Sequence, residues 1–178
     1  MKAGLPCIET ARLRLRPCRR EDIDVLHHIW TDPGVRKYVW DDQIITRSQA
    51  AEIVEASLTQ FRHQGDGIWL MLSGQADTAI GFCGFWLFHQ PAQLELLYGL
   101  VPSHWNRGLA TEAARALLRF GFEERGFATI SASTDAPNTA SIRVLEKIGM
   151  RFHKRELSNG LDTVYYTIAR DAFREGER

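Results

Sequence analysis

Leu100-Val-Pro-Ser-His-Trp-Asn-Arg-Gly-Leu-Ala-Thr-Glu-Ala113 joins the end of one apolar run to the start of another. Before it, Gln93 to Val101 has the composition of a strand, and Pro102 ends that strand because it has no N–H to give a ladder. After it, Ala110, Ala113, Ala114, Leu117, Leu118, Gly121 and Phe122 recur at i, i+3, i+4, i+7, i+8, i+11 and i+12, the stripe of a helix packed on one side. The first N–H groups of a helix lack internal partners, and the helix dipole adds partial positive charge there. Gly108 and Ala110 keep side-chain bulk off that backbone. The segment is therefore a candidate pyrophosphate loop. It is neither a Walker loop, which needs Gly-Lys-Ser/Thr, nor a GxGxxG turn. The plainer alternative is a capped helix start with a convenient glycine.

Outward from the loop, the chain alternates strand and helix signals. Arg12 to Arg16 alternates Arg and Leu, a strand with one apolar face. Glu21 to Trp30 reads as a short helix, and Ser48 to Arg62 as a longer one with Ile53, Val54, Leu58 and Phe61 on one side. Gly67 to Ser73 and Ala79 to His89 read as strands, with turns at Gly74-Gln-Ala-Asp77 and Gln90-Pro-Ala92. Thr129 to Thr134 reads as a buried strand. Asn138 to Ile148 reads as a helix that Asn138 caps and Gly149 stops. Arg151 to Leu157 and Thr163 to Ala169 form a last strand pair about the turn Ser158-Asn-Gly160. The order predicts one α/β (α+β) domain over residues 1–178, core about 8–171. A central, mixed, mostly antiparallel twisted sheet is flanked by helices.

Composition narrows the function. The 178 residues suffice for one sizeable core. Twenty-two basic and 22 acidic side chains cancel, so no global field draws the chain to nucleic acid or to a membrane. An anionic ligand must be held by local geometry. Cys7, Cys18 and Cys83 have no zinc-ligand or CxxC spacing and predict free thiols in a reducing compartment. No apolar run approaches the roughly 18 residues of a membrane span. The polar start does not read as a secretory signal, so the cytoplasm is the expected location.

Three motifs then carry a resemblance. Trp105-Asn-Arg-Gly-Leu-Ala-Thr-Glu-Ala113 resembles motif A of the GNAT acetyltransferases, Gln/Arg-x-x-Gly-x-Gly/Ala. Pro137-Asn-Thr-Ala-Ser-Ile-Arg-Val-Leu-Glu-Lys-Ile-Gly-Met150 resembles motif B. Ile8-Glu-Thr-Ala-Arg-Leu-Arg-Leu-Arg-Pro17, with Glu21-Asp22 and Trp30-Thr-Asp-Pro33, resembles the branch that contains the ribosomal-protein N-terminal acetyltransferases. The likeness runs from about Ile8 to about Asp171. It departs from the family at two places. Trp105 replaces the usual Gln or Arg, and Leu145 stands where many members carry a tyrosine general acid.

The resemblance implies direct attack of an amine on the thioester of acetyl-CoA, used as a cosubstrate. It assigns Leu100, Val101, Trp105, Asn106, Arg107, Gly108, Leu109, Ala110, Thr111, Asn138 and Ser141 to the coenzyme, with backbone near Leu100 and Val101 meeting the thioester oxygen. A lysine-type amine, pKa about 10.4, needs a base at neutral pH. Glu95 is the candidate base, directly or through water, because a charge inside the apolar run Leu94-Glu-Leu-Leu-Tyr-Gly-Leu100 is costly without a task or partner. Its alternative is an exposed strand face. Tyr98 reads as core. With Leu145 lacking a hydroxyl, Ser141 is the candidate acid at the CoA sulfur; its alternative is a neutral first-turn serine.

Other features read more blandly. Arg12, Arg14, Arg16, Arg19 and Arg20 suggest an acidic partner such as RNA, but alternation with Leu13 and Leu15 favours one wet strand face. Arg143 and Lys147 either meet CoA phosphates or are solvated. Trp30, Trp40, Trp69, Trp86 and Trp105 read chiefly as core or rim aromatics. The six histidines, His89 and His104 among them, show no metal spacing. The expected function is an N-acetyltransferase acting on a small-molecule amine or a peptide N-terminus, as a monomer or homodimer. The alternatives are a non-catalytic CoA-binding module and a nucleic-acid binder.

Overall fold

The computed structural model describes residues 5–74, 77–88, 93–158 and 160–176. The elements are β1 (Ile8–Glu9), β2 (Leu13–Pro17), α1 (Ile23–Thr31), α2 (Pro33–Val39), α3 (Arg47–Gln64), β3 (Ile68–Ser73), β4 (Thr78–Phe88) and β5 (Gln93–Leu100). They continue with α4 (Leu109–Glu123), β6 (Thr129–Asp135), α5 (Thr139–Lys147), β7 (Arg151–Ser158), β8 (Leu161–Ala169) and α6 (Arg170–Gly176). The expected turns that include 75–76, 90–92 and 159, and His89 with them, fall outside the described residues.

One eight-stranded sheet runs in the order β1-β2-β3-β4-β5-β6-β8-β7. Every pairing is antiparallel except β5 with β6, and that parallel pair has a single registered position, Glu95 opposite Ser131. Beyond it the two strands part toward their C-terminal ends. The mixed, mostly antiparallel sheet expected from the sequence is therefore present. The parting is the feature that positions the site.

Both faces are covered, which explains why β3 is buried at nearly every position rather than alternating. On one face α4 presents Leu109, Ala113, Ala114, Leu117, Leu118 and Phe122 to Leu15, Met71, Leu96, Leu100, Ile130 and Tyr166. On the other, α1 and α3 set Leu26, Ile29, Trp30 and Val54 against Leu70, Leu72 and Phe82. Local signals start the helices. Thr46 and Gln49 close a capping box on α3, and Asp32 caps α2 with Pro33 at its first turn. The sequence reading did not include α2 or α6.

Four arginines of the cluster are paired inside the chain. Arg12 pairs with Glu112, Arg14 with Asp77, Arg16 with Asp22 and Arg20 with Glu55. Their alternation with buried Leu13 and Leu15 agrees with the expected strand face. Cys7 is exposed, Cys18 and Cys83 are buried, and all three are free. Among the described residues, no helix is long and apolar enough to cross a membrane, and no group of His, Cys, Asp and Glu is arranged to hold a metal ion.

Candidate active site

The site begins where β5 ends. Val101 donates its N–H to the Ile80 carbonyl at 2.9 Å, completing the ladder with β4. Antiparallel bonding alternates, so the Leu100 N–H points away from β4, into the parting between β5 and β6. This corrects the expectation for Val101, whose amide is not free to meet an oxyanion. Pro102–His104 then forms one 3-10 turn, and the Trp105 indole donates to the Leu100 carbonyl at 2.6 Å. Trp105 also lies over Gly34 of α2, where an added Cβ would come within 2.8 Å of its ring. Trp105 is thus a clasp holding the strand end to α2.

The loop itself uses two left-handed residues, Asn106 at φ 59° and Gly108 at φ 75°. Asparagine and glycine tolerate that region best. The first helical bond, from the Glu112 N–H to the Gly108 carbonyl at 3.0 Å, closes immediately after. No side chain caps α4, whereas Thr46 caps α3 and Asn138 caps α5. The first amides of α4 are left for a ligand, which fits a pyrophosphate. Glycine at 108 has a conformational cause beside the expected one of ligand approach. An added Cβ would meet Arg12 Nη2 at 3.5 Å, an ordinary contact on the side occupied by Arg12. The positive φ is a constraint of its own at this position.

A cleft of about 400 Å³ runs from this loop to α5. Leu100, Trp105, Asn106, Gly108, Leu109, Ala110, Thr111, Asn138 and Ser141 all line it. Val101 and Arg107, expected among the coenzyme contacts, do not. Val101 is turned into the sheet, and the Arg107 carbonyl accepts from Arg12 behind the loop at 2.8 Å. Arg143 and Lys147 do line the cleft, as do Val35, Tyr38 and Val39 of α2 and His104. Asn138 uses both ends of its amide locally. Oδ1 accepts from the Ser141 N–H at 3.3 Å, and Nδ2 donates to Thr134 Oγ1 at 3.0 Å.

Two hydroxyls meet in the cleft. Tyr98 Oη lies 2.8 Å from Ser141 Oγ and donates toward the Ser141 carbonyl or that hydroxyl. Burial pushes the Tyr98 phenol well above its ordinary range, against a smaller opposing effect from Ser141, so it stays protonated and a donor at any working pH. Tyr98 packs against the α4-side core, as its sequence context suggests, and also brings its hydroxyl to the cleft. Leu145 is 1% exposed and packs into the α4 core, away from the cleft. A phenol is therefore present, but it comes from β5 and not from the helix position where the family usually carries it.

Glu95 lies on the other face of the same strand. Leu94, Leu96, Tyr98 and Leu100 pack toward α4, so by alternation Glu95, Leu97 and Gly99 face the opposite side. Glu95 is 1% exposed, which removes the exposed-face reading, and it accepts from Ser133 Oγ at 2.6 Å. It stands at the vertex where β5 and β6 part. The structure thus does not put Glu95 beside Ser141. It puts them on the two sides of the opening. Asp135, further along β6 on the Glu95 side, has its carboxyl pushed up by burial and by the charges of Asp41 and Asp162.

A parted parallel strand pair, an uncapped helix start beside it, and hydroxyls inside the opening define an acyltransferase domain. The family model that matches residues 12–151 is described as an acetyltransferase (GNAT) domain. The chain belongs to the GNAT acetyltransferase family. It is 32% identical over 144 residues to the uncharacterized N-acetyltransferase p20 of Bacillus licheniformis, covering 80% of each chain. Among solved structures, a GNAT-family acetyltransferase from Bacillus anthracis superposes with a TM-score of 0.78 at 26% identity, covering 93% of this chain and 99% of that one. Two more distant structures hold coenzyme A. RimL, the ribosomal L7/L12 alpha-N-protein acetyltransferase, matches at TM-score 0.78 and 16% identity, over 94% of this chain and 99% of that one. The aminoglycoside acetyltransferase AAC(6')-Ib matches at TM-score 0.77 and 17% identity, over 93% and 99%. At those identities the likeness is one of fold. The ribosomal-protein branch is one of several neighbours.

Proposed function

We propose that the protein transfers the acetyl group of acetyl-CoA to a primary amine by direct attack on the thioester. The observation that carries this reading is the opening between β5 and β6, with the cleft of about 400 Å³ on one side and buried Glu95 on the other. The pyrophosphate lies on the first amides of α4, with Arg143 and Lys147 of the cleft wall adding positive charge. The pantetheine arm runs past Asn138 into the opening. The Leu100 N–H meets the thioester oxygen as it becomes an oxyanion. Glu95, directly or through one water, takes a proton from the acceptor ammonium, and the neutral amine then attacks. Ser141, aligned by Tyr98, donates a hydrogen bond to the departing sulfur, whose thiol pKa near 8.5 makes it a ready leaving group.

The acceptor arrives from the Glu95 face. Asp41 and Asp162 lie close enough to Asp135 to add to the effect of burial on its carboxyl, and Asp135, on the Glu95 side, favours a cationic amine. A peptide N-terminus and a small-molecule amine both fit this description. The likeness of the N-terminal segment to the ribosomal-protein branch favours the peptide. A non-catalytic CoA-binding role rested on the missing tyrosine, and Tyr98 now provides a phenol in the cleft.

The test is thiol release from acetyl-CoA by the full chain against a panel of peptides and small amines. Amine-dependent release, reduced in Glu95→Gln more at low pH than at high pH, is the expected result. At high pH the amine loses its proton unaided, so the base matters less. A mutant-to-wild-type ratio that is flat across pH removes Glu95 as base. Tight CoA binding with no release on any acceptor removes the enzyme reading.

A further inference from the structure

The pyrophosphate loop is a thin wall. Gly108 and Thr111 line the coenzyme cleft on one side and, on the other, a wider groove of about 860 Å³ in which Arg12 lies. Arg12 grips the wall from that side with three donors. Its Nη1 donates to the Arg107 carbonyl at 2.8 Å, its Nε to Glu112 Oε2 at 2.7 Å, and its backbone N–H to Glu112 Oε1 at 2.8 Å. Thr10 Oγ1 donates to the same Glu112 oxygen at 2.6 Å. The β1–β2 turn is thus bolted to the loop and to the first turn of α4.

One consequence follows from peptide geometry. In a trans peptide the C=O and the next N–H point in opposite directions. The Arg107 carbonyl is turned back toward Arg12, so the Gly108 N–H faces forward into the cleft. Nothing in the loop's own chemistry enforces that choice. Gly108 has no Cβ, and a glycine passes between φ values of either sign at little cost. The 107–108 peptide can turn over by concerted rotation about its two flanking bonds unless something holds its oxygen. Glu112 poses a second problem, since a carboxylate in the first turn of α4 repels an anion at the same helix end. Arg12 answers both with one planar guanidinium.

We propose that Arg12 is a positioning residue for the coenzyme. It fixes the 107–108 peptide with its N–H toward the pyrophosphate and neutralises Glu112, without touching the ligand. This rests on the reading of 105–111 as the pyrophosphate loop, and its test separates the two. Binding of CoA to the full chain is measured by calorimetry, and binding of acetyl-pantetheine, which ends before the pyrophosphate, by NMR shift titration.

Arg12→Ala should weaken CoA about tenfold and leave acetyl-pantetheine unchanged, since a charge-assisted hydrogen bond is worth that factor. Arg12→Lys keeps the charge beside Glu112, but a single ammonium does not reproduce the fork, so most of the loss should remain. CoA affinity within twofold of wild type, equal losses for both ligands, or full rescue by lysine each overturn the assignment. If Arg12→Ala does not fold, Arg12→Lys carries the same comparison. Gly108→Val is the control on the underlying reading. If it leaves CoA affinity unchanged, the loop is not the pyrophosphate site. If it weakens CoA while both Arg12 variants do not, the loop stands and only the brace falls.

Discussion

Gly108 can be substituted in a way that separates two explanations of why it is glycine. Its φ of 75° places it in the left-handed region, and an added Cβ meets only Arg12 Nη2, at 3.5 Å. If conformation is the constraint, damage follows left-handed tolerance and not size. Alanine there is strained by ~1–2 kcal/mol. The strain pulls the 107–108 peptide over against the Arg12 bond, and wherever the free loop yields, the coenzyme must restore it, so affinity falls by up to about 5- to 30-fold. Valine is β-branched, and its γ-methyls extend toward Arg12, so Gly108→Val should exceed about 30-fold. Asparagine visits the left-handed region readily, and Gly108→Asn should stay within about threefold of wild type. Calorimetric titration with CoA, with a thermal melt of each variant to confirm folding, gives the order. If Gly108→Asn is as damaging as Gly108→Val, bulk on the coenzyme side is the constraint, and the conformational explanation is wrong.

Two further outcomes follow from the site. Tyr98→Phe removes the partner of Ser141 Oγ and should lower kcat about tenfold with little change in KM for acetyl-CoA; combined with Ser141→Ala it should cost no more than Ser141→Ala alone. Additive losses in that double-mutant cycle would separate the two hydroxyls. For stability, burial alone would raise the Glu112 carboxyl, but the hydrogen bonds from Thr10 and Arg12 outweigh it and hold the group below its ordinary range. A depressed folded value means stabilisation that is present above the unfolded pKa, about 4.3, and lost as pH falls through the folded one. Wild type should therefore melt a few degrees above Glu112→Gln at neutral pH, with the gap closing below about pH 4. A gap that does not depend on pH would assign the loss to packing.

The sequence was informative where a local pattern carries the information. The stripe from Ala110 to Phe122 became α4, the Arg–Leu alternation became β2, and Asn138 caps α5 as its position suggested. α2 escaped notice because seven residues are too few to show a period, although Asp32-Pro33 is a helix-start pair. What remained hidden depends on pairing across long separations. The Arg12–Glu112 contact spans 100 residues, so Arg12 looked like one more wet arginine. Glu95 stood out as a charge in an apolar run, but Ser133 and the vertex of the opening come from β6. The family motif is linear and points to the position of Leu145 for a phenol. Tyr98 brings a phenol to the cleft from a strand 47 positions earlier.

The single registered pair between β5 and β6 has a mechanical side. It divides the sheet into two antiparallel ribbons, β1 to β5 and β6 with β8 and β7, joined by one rivet at Glu95 and Ser131 and by the helices laid across them. Under the proposed function, a coenzyme arm lying in the opening would take the place of the missing rungs, and the cosubstrate would be a removable girder. Heat resistance then rises with occupancy, as it does for any ligand bound only by the folded form. Each turnover would then end by withdrawing the girder, with the ribbons least braced just as product departs.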